Sequence, residues 1–381
     1  MNTSLNSLST LRRSLRAGSG WAGMAVGWLA PVCLLLPLAL SAQEAVRPVF
    51  GGGPKSGSDP AADLAWSRLS ANSGPAAATR SPAPPPATTP DEPPPSSAQA
   101  RADQARDFLT KFPQDPRAGV ARGQEALLLI EAAETGGAAA AARMESTVRG
   151  LRGDASVRAA VRAAVAGTYE FSAARGRIRT AADREREFEA VARGLMREFP
   201  EQPQGYVSLL TLAWMRGDRA ARPLLAEVAQ AGAAPAGLRA RARVLLTRLD
   251  LLGTPVGGLW GGPVRGRPET KAGAKRPIVV YFWTPGDPGS LKVAAILRDF
   301  ETRGELHGIC LEPESAASRE WAAARALPGE LHYLAGGPGG EEAARCGVEA
   351  APVVYLADAR GEIIDVRGTD GLAPKLAALA P

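Results

Sequence analysis

The sequence predicts an α + α/β protein: an N-terminal all-helical region followed by a C-terminal α/β/α sandwich. Three observations carry this. Between residues 98 and 250 apolar residues recur at spacings of three and four, as helices with one buried face require. From Ile278 onward short β-branched and aromatic runs alternate with helical segments, the pattern of a sheet covered by helices. Outside these regions glycine and proline gather in stretches without a period, which read as linkers and turns.

The elements follow in chain order. Arg12, Arg13 and Arg16 precede a span from Ala17 to Gln43 without a charged residue. That span contains the apolar run Trp28 to Leu40, and Ala39, Ser41 and Ala42 offer small residues for cleavage. Residues 1–42 therefore read as a secretory signal peptide, and the protein as periplasmic or otherwise exported. The uncharged span could also cross a bilayer if left uncleaved, which would be the one route to a membrane. Residues 43–97, with runs such as Ser81-Pro-Ala-Pro-Pro-Pro, read as a disordered Pro/Ala-rich linker that buries too little apolar area to order itself.

Residues 98–250 form the helical domain. Phe108-Leu-Thr-Lys-Phe-Pro-Gln-Asp-Pro and Leu195-Met-Arg-Glu-Phe-Pro-Glu-Gln-Pro resemble each other. Each sets an aromatic–Pro pair at a helix end, as tetratricopeptide-like arrays close a repeat. A partner-binding array and an irregular bundle both remain open. The formal charge of +6 comes from 45 basic residues, only six of them lysine. The arginines lie among alanines and acids, as in Arg184-Glu-Arg-Glu187, which marks a solvated helix surface and not a nucleic-acid face.

A Gly/Pro-rich connector, 251–274, leads to the last domain at 275–381. Ile278 to Trp283 reads as a strand buried on both faces. A turn from Thr284 to Gly289 leads into a helix from Leu291 to Phe300. Strands at Leu306–Leu311, Leu331–Leu334 and Val353–Leu356 follow, with helices about Ser315–Leu327 and Glu341–Arg345 between them. A hairpin partner at Glu362–Arg367 and a helix at Leu372–Leu379 close the domain.

Ile278 to Ser290 resembles the first strand and active-site turn of thioredoxins, and Gly347-Val-Glu-Ala-Ala-Pro352-Val-Val-Tyr-Leu is similar to the segment carrying their cis-proline. The additional helix and strand before Cys346 resemble the TlpA-like exported thiol–disulfide oxidoreductases. The resemblance covers about Pro255 to Pro381. It implies a site at the Trp283–Thr284 turn facing Ala351 and Pro352, where relatives bind an extended peptide. It also implies a Cys-x-x-Cys pair, and here the chain departs: Asp287 and Ser290 occupy the two cysteine positions. A carboxylate and a hydroxyl cannot exchange disulfides. Asp287-Pro288 instead supplies an N-cap and a first-turn proline. Where thioredoxins bury an acid, this chain has Tyr281.

Cys310 and Cys346 remain as thiols of the mature chain, both expected at the same edge of the sheet, whether free, bridged or redox-active. The two histidines, His307 and His332, sit in neither an HExxH nor a nucleophile-elbow context and read as strand residues. No metal and no cofactor are expected. The expectation is a redox-inactive, exported thioredoxin-like protein that binds or scaffolds a protein or peptide partner in the cell envelope, without catalytic residues. The alternative is a thiol–disulfide oxidoreductase using Cys310 and Cys346 or a partner's thiols.

Overall fold

The computed structural model describes residues 59–71, 97–260 and 276–379. The expected signal peptide lies outside the described residues, as does the connector beyond Trp260. The chain divides between Ser208 and Leu209 into two compact units.

The first unit is helical throughout its described residues. It contains α1 (Pro60–Ala71), α2 (Ala98–Lys111), α3 (Ala118–Glu134), α4 (Ala138–Gly153), α5 (Ala159–Arg177) and α6 (Ala181–Glu198). Helix α7 (Pro203–Arg216) runs across the division into the second unit. The linker expectation gives way at α1. Ala62, Trp66 and Leu69 follow helical spacing and are buried. Trp66 and Leu69 pack with Ala105, Phe108, Val120 and Ala121. Burying a large apolar side chain contributes about 2–3 kcal/mol, enough to order one short helix against a ready surface. Arg117 fastens it further, reaching Asp63 at 2.7 Å and Asp115 at 2.7 Å while its guanidinium lies 5.6 Å from the Trp66 ring centre.

The two similar segments end their helices alike. Phe112 and Phe199 are C-caps with φ/ψ of −130°/57° and −130°/66°, and each N–H returns to the carbonyl four residues back at 2.8 Å. The cores of this unit are built mainly from alanine, valine and leucine, with few aromatics.

The second unit holds α8 (Arg222–Gln230), α9 (Ala236–Leu251) and a five-stranded sheet. Its strands are β1 (Ile278–Trp283), β2 (Glu305–Cys310), β3 (Glu330–Tyr333), β4 (Val353–Ala357) and β5 (Ile363–Asp365), in the order β3-β2-β1-β4-β5. β1, β2 and β3 are parallel, and β4 and β5 pair antiparallel. α10 (Pro288–Arg298), α11 (Ala316–Ala324) and α13 (Leu372–Ala378) contribute Val293, Leu297, Ala322, Leu372 and Leu376 to one face, against Val279, Tyr281 and Trp283. β-strand side chains alternate, so Val280 and Phe282 point to the other face, where Phe282 meets Tyr355 edge-on. On that side Tyr355 reaches the Cys346 carbonyl at the end of α12 (Glu341–Arg345), and α9 and a 3-10 turn at Val256–Trp260 join there. Arg248 of α9 donates to the Gly347 carbonyl at 2.7 Å. Cys346 donates to the Leu259 carbonyl at 3.6 Å.

The start of the connector is part of this unit. The Gly253 N–H donates to the Ile363 carbonyl, and the Ile363 N–H to that of Thr254, at 2.8 and 2.9 Å. Pro255 bridges Glu362 beside β5. Helices on both faces of this mixed sheet give the α/β/α sandwich, and the strand order and directions are those of a thioredoxin-like domain. Among the described residues no helix is long and apolar enough to cross a membrane.

Candidate functional site

The turn between β1 and α10 holds the positions where a thioredoxin carries its chemistry. β1 is wholly buried, so the chain must break out of the sheet after Trp283, and it does so through half-buried Thr284 and Pro285 and exposed Gly286. Asp287 is the N-cap of α10 and Pro288 its first-turn proline. One carboxylate oxygen, Oδ2, accepts from the Ser290 N–H at 2.6 Å and from the Ser290 hydroxyl at 2.7 Å. The Thr284 N–H donates back to that hydroxyl at 3.3 Å. Ser290 is buried. The side chains at the two cysteine positions therefore bond to each other and close the helix start. The same helix end that would favour a thiolate favours a carboxylate. Asp287→Ala is expected to cost about 1–2 kcal/mol in urea denaturation while Asp287→Asn costs a few tenths, because asparagine caps as well as aspartate.

The opposing loop is close. The Ala351–Pro352 peptide is cis, and both residues are half-buried. A Cβ built on Gly289 would stand 2.9 Å from Pro352 Cδ, nearer than real contacts come. Gly289 is thus what lets the turn and the proline loop touch. The sequence reading passed over it, although a glycine inside the first turn of a helix is a signal of close approach.

Trp283 does not stand where the resemblance put it. It is completely buried, stacked on Trp321 at 5.7 Å between ring centres and edge-on to Tyr333 at 5.9 Å. It is a floor beneath the turn, and the rim is left to half-buried Thr284, Asp287, Ala351 and Pro352. Tyr281, at the place of the family's buried acid, is likewise committed to structure: its hydroxyl donates to the Pro328 carbonyl at 2.7 Å. Burial pushes its ionisation above the ordinary range.

The two thiols are free and buried, and the structure corrects their expected placement at one edge. Cys310 pairs with Trp283 across β1–β2 and joins the same core cluster. The Cys346 carbonyl accepts from the Tyr355 hydroxyl at 2.5 Å, and Tyr355 lies opposite Val280 on the other face. The sheet stands between the two sulfurs. Burial pushes the Cys310 thiol up to about 11 and the Cys346 thiol up to about 12. Neither value suits a nucleophile, which needs thiolate near neutral pH.

No family model matches the sequence, and no curated protein does. Among solved structures the chain is similar to a secreted disulfide oxidoreductase of Mycobacterium tuberculosis homologous to DsbE of E. coli, at 22% identity and a TM-score of 0.24, over 28% of this chain and 83% of that one. It is also similar to DsbF of the same organism in mixed oxidised and reduced forms, at 23% identity and 0.22, over 28% and 82%. A thioredoxin-like protein from Bacteroides caccae aligns with 76% of this chain and 98% of its own, at 12% identity and 0.28. The strand order, the strand directions and the helices on both faces make the C-terminal domain thioredoxin-like in fold.

Proposed function

We propose that this protein is an exported, redox-inactive thioredoxin-fold protein of the TlpA-like kind, acting as a binding or scaffold module for a protein or peptide of the cell envelope. One observation carries the reading: the Asp287 carboxylate caps α10 and holds Ser290 at the two positions where disulfide chemistry needs sulfur. The address read in residues 1–42 supports export. The contact of Gly289 with Pro352 supports a surface that has kept its shape after losing its thiols. Backbone pairing with an extended peptide requires no thiol, and Thr284, Asp287, Ala351 and Pro352 are the residues that would line it.

The oxidoreductase alternative, in the form that pairs Cys310 with Cys346, needs the two to meet, and they occupy opposite faces of one sheet; in the form that uses a partner's thiols it would still need one of them as a reactive thiolate. The mature chain is therefore expected to reduce insulin disulfides at the uncatalysed rate, unchanged by Cys310→Ser or Cys346→Ser. Activity within tenfold of an ordinary thioredoxin, lost on either substitution, would overturn the proposal. The binding half is tested by amide shifts on titration with peptides from envelope proteins. Shifts that never include 284–290 and 350–353 together would move the binding surface elsewhere.

A further inference from the structure

The 381-residue chain has two histidines, and both end copies of one tetrapeptide: Gly304-Glu305-Leu306-His307 and Gly329-Glu330-Leu331-His332. The first copy leads into β2 and the second into β3, which are parallel neighbours. Glutamate and histidine two apart on a strand share a face. The register sets His307 opposite Glu330 and Ile309 opposite His332, so the copies are offset by two residues. Four polar groups are thereby interleaved on one face. It is the face away from Trp283, since Leu306 and Cys310, which alternate with His307, belong to the core cluster of the other side.

The donor atoms converge. His307 Nδ1 is 3.5 Å from His332 Nε2 and 3.8 Å from Glu330 Oε2, and His332 Nε2 is 3.9 Å from Glu330 Oε1. A tetrahedral ion with nitrogen and oxygen ligands at about 2.0–2.2 Å requires donors roughly 3.3–3.5 Å apart. One edge of the triangle already meets that distance. The other two exceed it by amounts that rotation of the Glu330 side chain, which is 56% exposed, can remove. Glu330 also opens the cluster to solvent, so water can complete the coordination. At the far side of the first ring, His307 Nε2 lies 4.0 Å from Glu305 Oε2. A liganded histidine characteristically turns its second ring nitrogen toward a carboxylate. Both imidazoles are buried.

We propose that His307, Glu330 and His332 bind a divalent transition-metal ion of the zinc class, with Glu305 as a positioning residue for His307. Nitrogen and carboxylate donors suit zinc, cobalt and nickel better than calcium or magnesium, which prefer all-oxygen shells. The site is remote in sequence from the Asp287 turn and requires no cysteine.

The test uses the full mature chain, freed of metal with a chelator and titrated with Zn2+ alone by calorimetry and with Co2+ by visible absorption. One equivalent of zinc is expected to bind, and Co2+ to give the intense d–d bands of a low-coordinate site. His307→Gln and His332→Gln should each weaken binding by about 100-fold, and Glu305→Gln by about tenfold. Glu330→Gln alters an exposed side chain, keeps the fold by circular dichroism, and should still weaken binding by at least about tenfold. Saturation absent in the parent protein, or unchanged in Glu330→Gln and the histidine variants, would overturn the site.

Discussion

Native protein lacking residues 1–42, exposed to an excess of an aromatic disulfide reagent at pH 8, is expected to give no rapid thiol signal, and two equivalents once denatured. The ordinary thiol ionises near 9, so about a tenth of it is thiolate at pH 8. At about 11 and about 12 the fractions fall to about one in a thousand and one in ten thousand. Because both sulfurs are also covered, the native rates should lie more than about 100-fold below those of the unfolded chain. The same shifts set an alkaline limit on stability. The folded state holds these thiols neutral, so their contribution is fully present below pH 9. It declines as the unfolded chain ionises, between pH 9 and about 12. A urea midpoint measured from pH 7 to 10.5 should begin to fall above 9. One thiol reacting within seconds under native conditions would revive the oxidoreductase reading.

A large loss of stability from a single substitution is expected at Arg248. The residue is 4% exposed, and its Nε–H donates to the Gly347 carbonyl at 2.7 Å. Burial pulls its ionisation below the ordinary arginine value, a sign of how little solvent reaches it. Arg248→Ala removes the donor from a buried carbonyl and leaves a cavity where the side-chain stem packed. Together these should cost roughly 3–4 kcal/mol. Arg248→Met fills part of the space and should recover roughly half. Gly347→Ala attacks the contact from the other side: Gly347 has φ +63°, and a Cβ there would meet Arg248 Cγ at 2.8 Å. It should cost at least about 1 kcal/mol from its positive φ alone. Urea denaturation followed by tryptophan fluorescence and circular dichroism measures all three. An unchanged midpoint for Arg248→Ala would mean that this bond does not tie α9 to the segment entering β4.

Several parts of this architecture were legible from residue order. Ile278–Trp283 reads as a doubly buried strand because no polar residue interrupts it, and it is one. Asp287-Pro288 reads as a helix start on cap chemistry alone, and α10 begins there. What escaped depended on partners distant in sequence. Ala62, Trp66 and Leu69 offer three apolar anchors amid alanine, serine and glycine, too few to mark a helix until Phe108 is known to await them. A strand buried on both faces does not say what covers its last residue: the resemblance places Trp283 at the site turn, whereas Trp321 of α11 covers it. The faces of Cys310 and Cys346 follow from strand register and from Tyr355, neither visible in spacing. The doubled Gly-Glu-Leu-His was in plain view. Its meaning required β2 and β3 to be neighbours offset by two.

The docked helix α1 decides where the chain can be trimmed. A fragment starting at Ser97 would strip Trp66 and Leu69 from Phe108, Ala105 and Val120, leaving a greasy scar on its first helical hairpin. It would also deprive Arg117 of one of its two carboxylates. Exposed apolar patches of this kind invite self-association, so poor yield from such a fragment would reflect the missing cover and not an inability to fold. A fragment starting at Asp59 retains the cover together with the Asp59 side chain, which accepts from the Ala61 N–H at 2.8 Å and finishes the helix start.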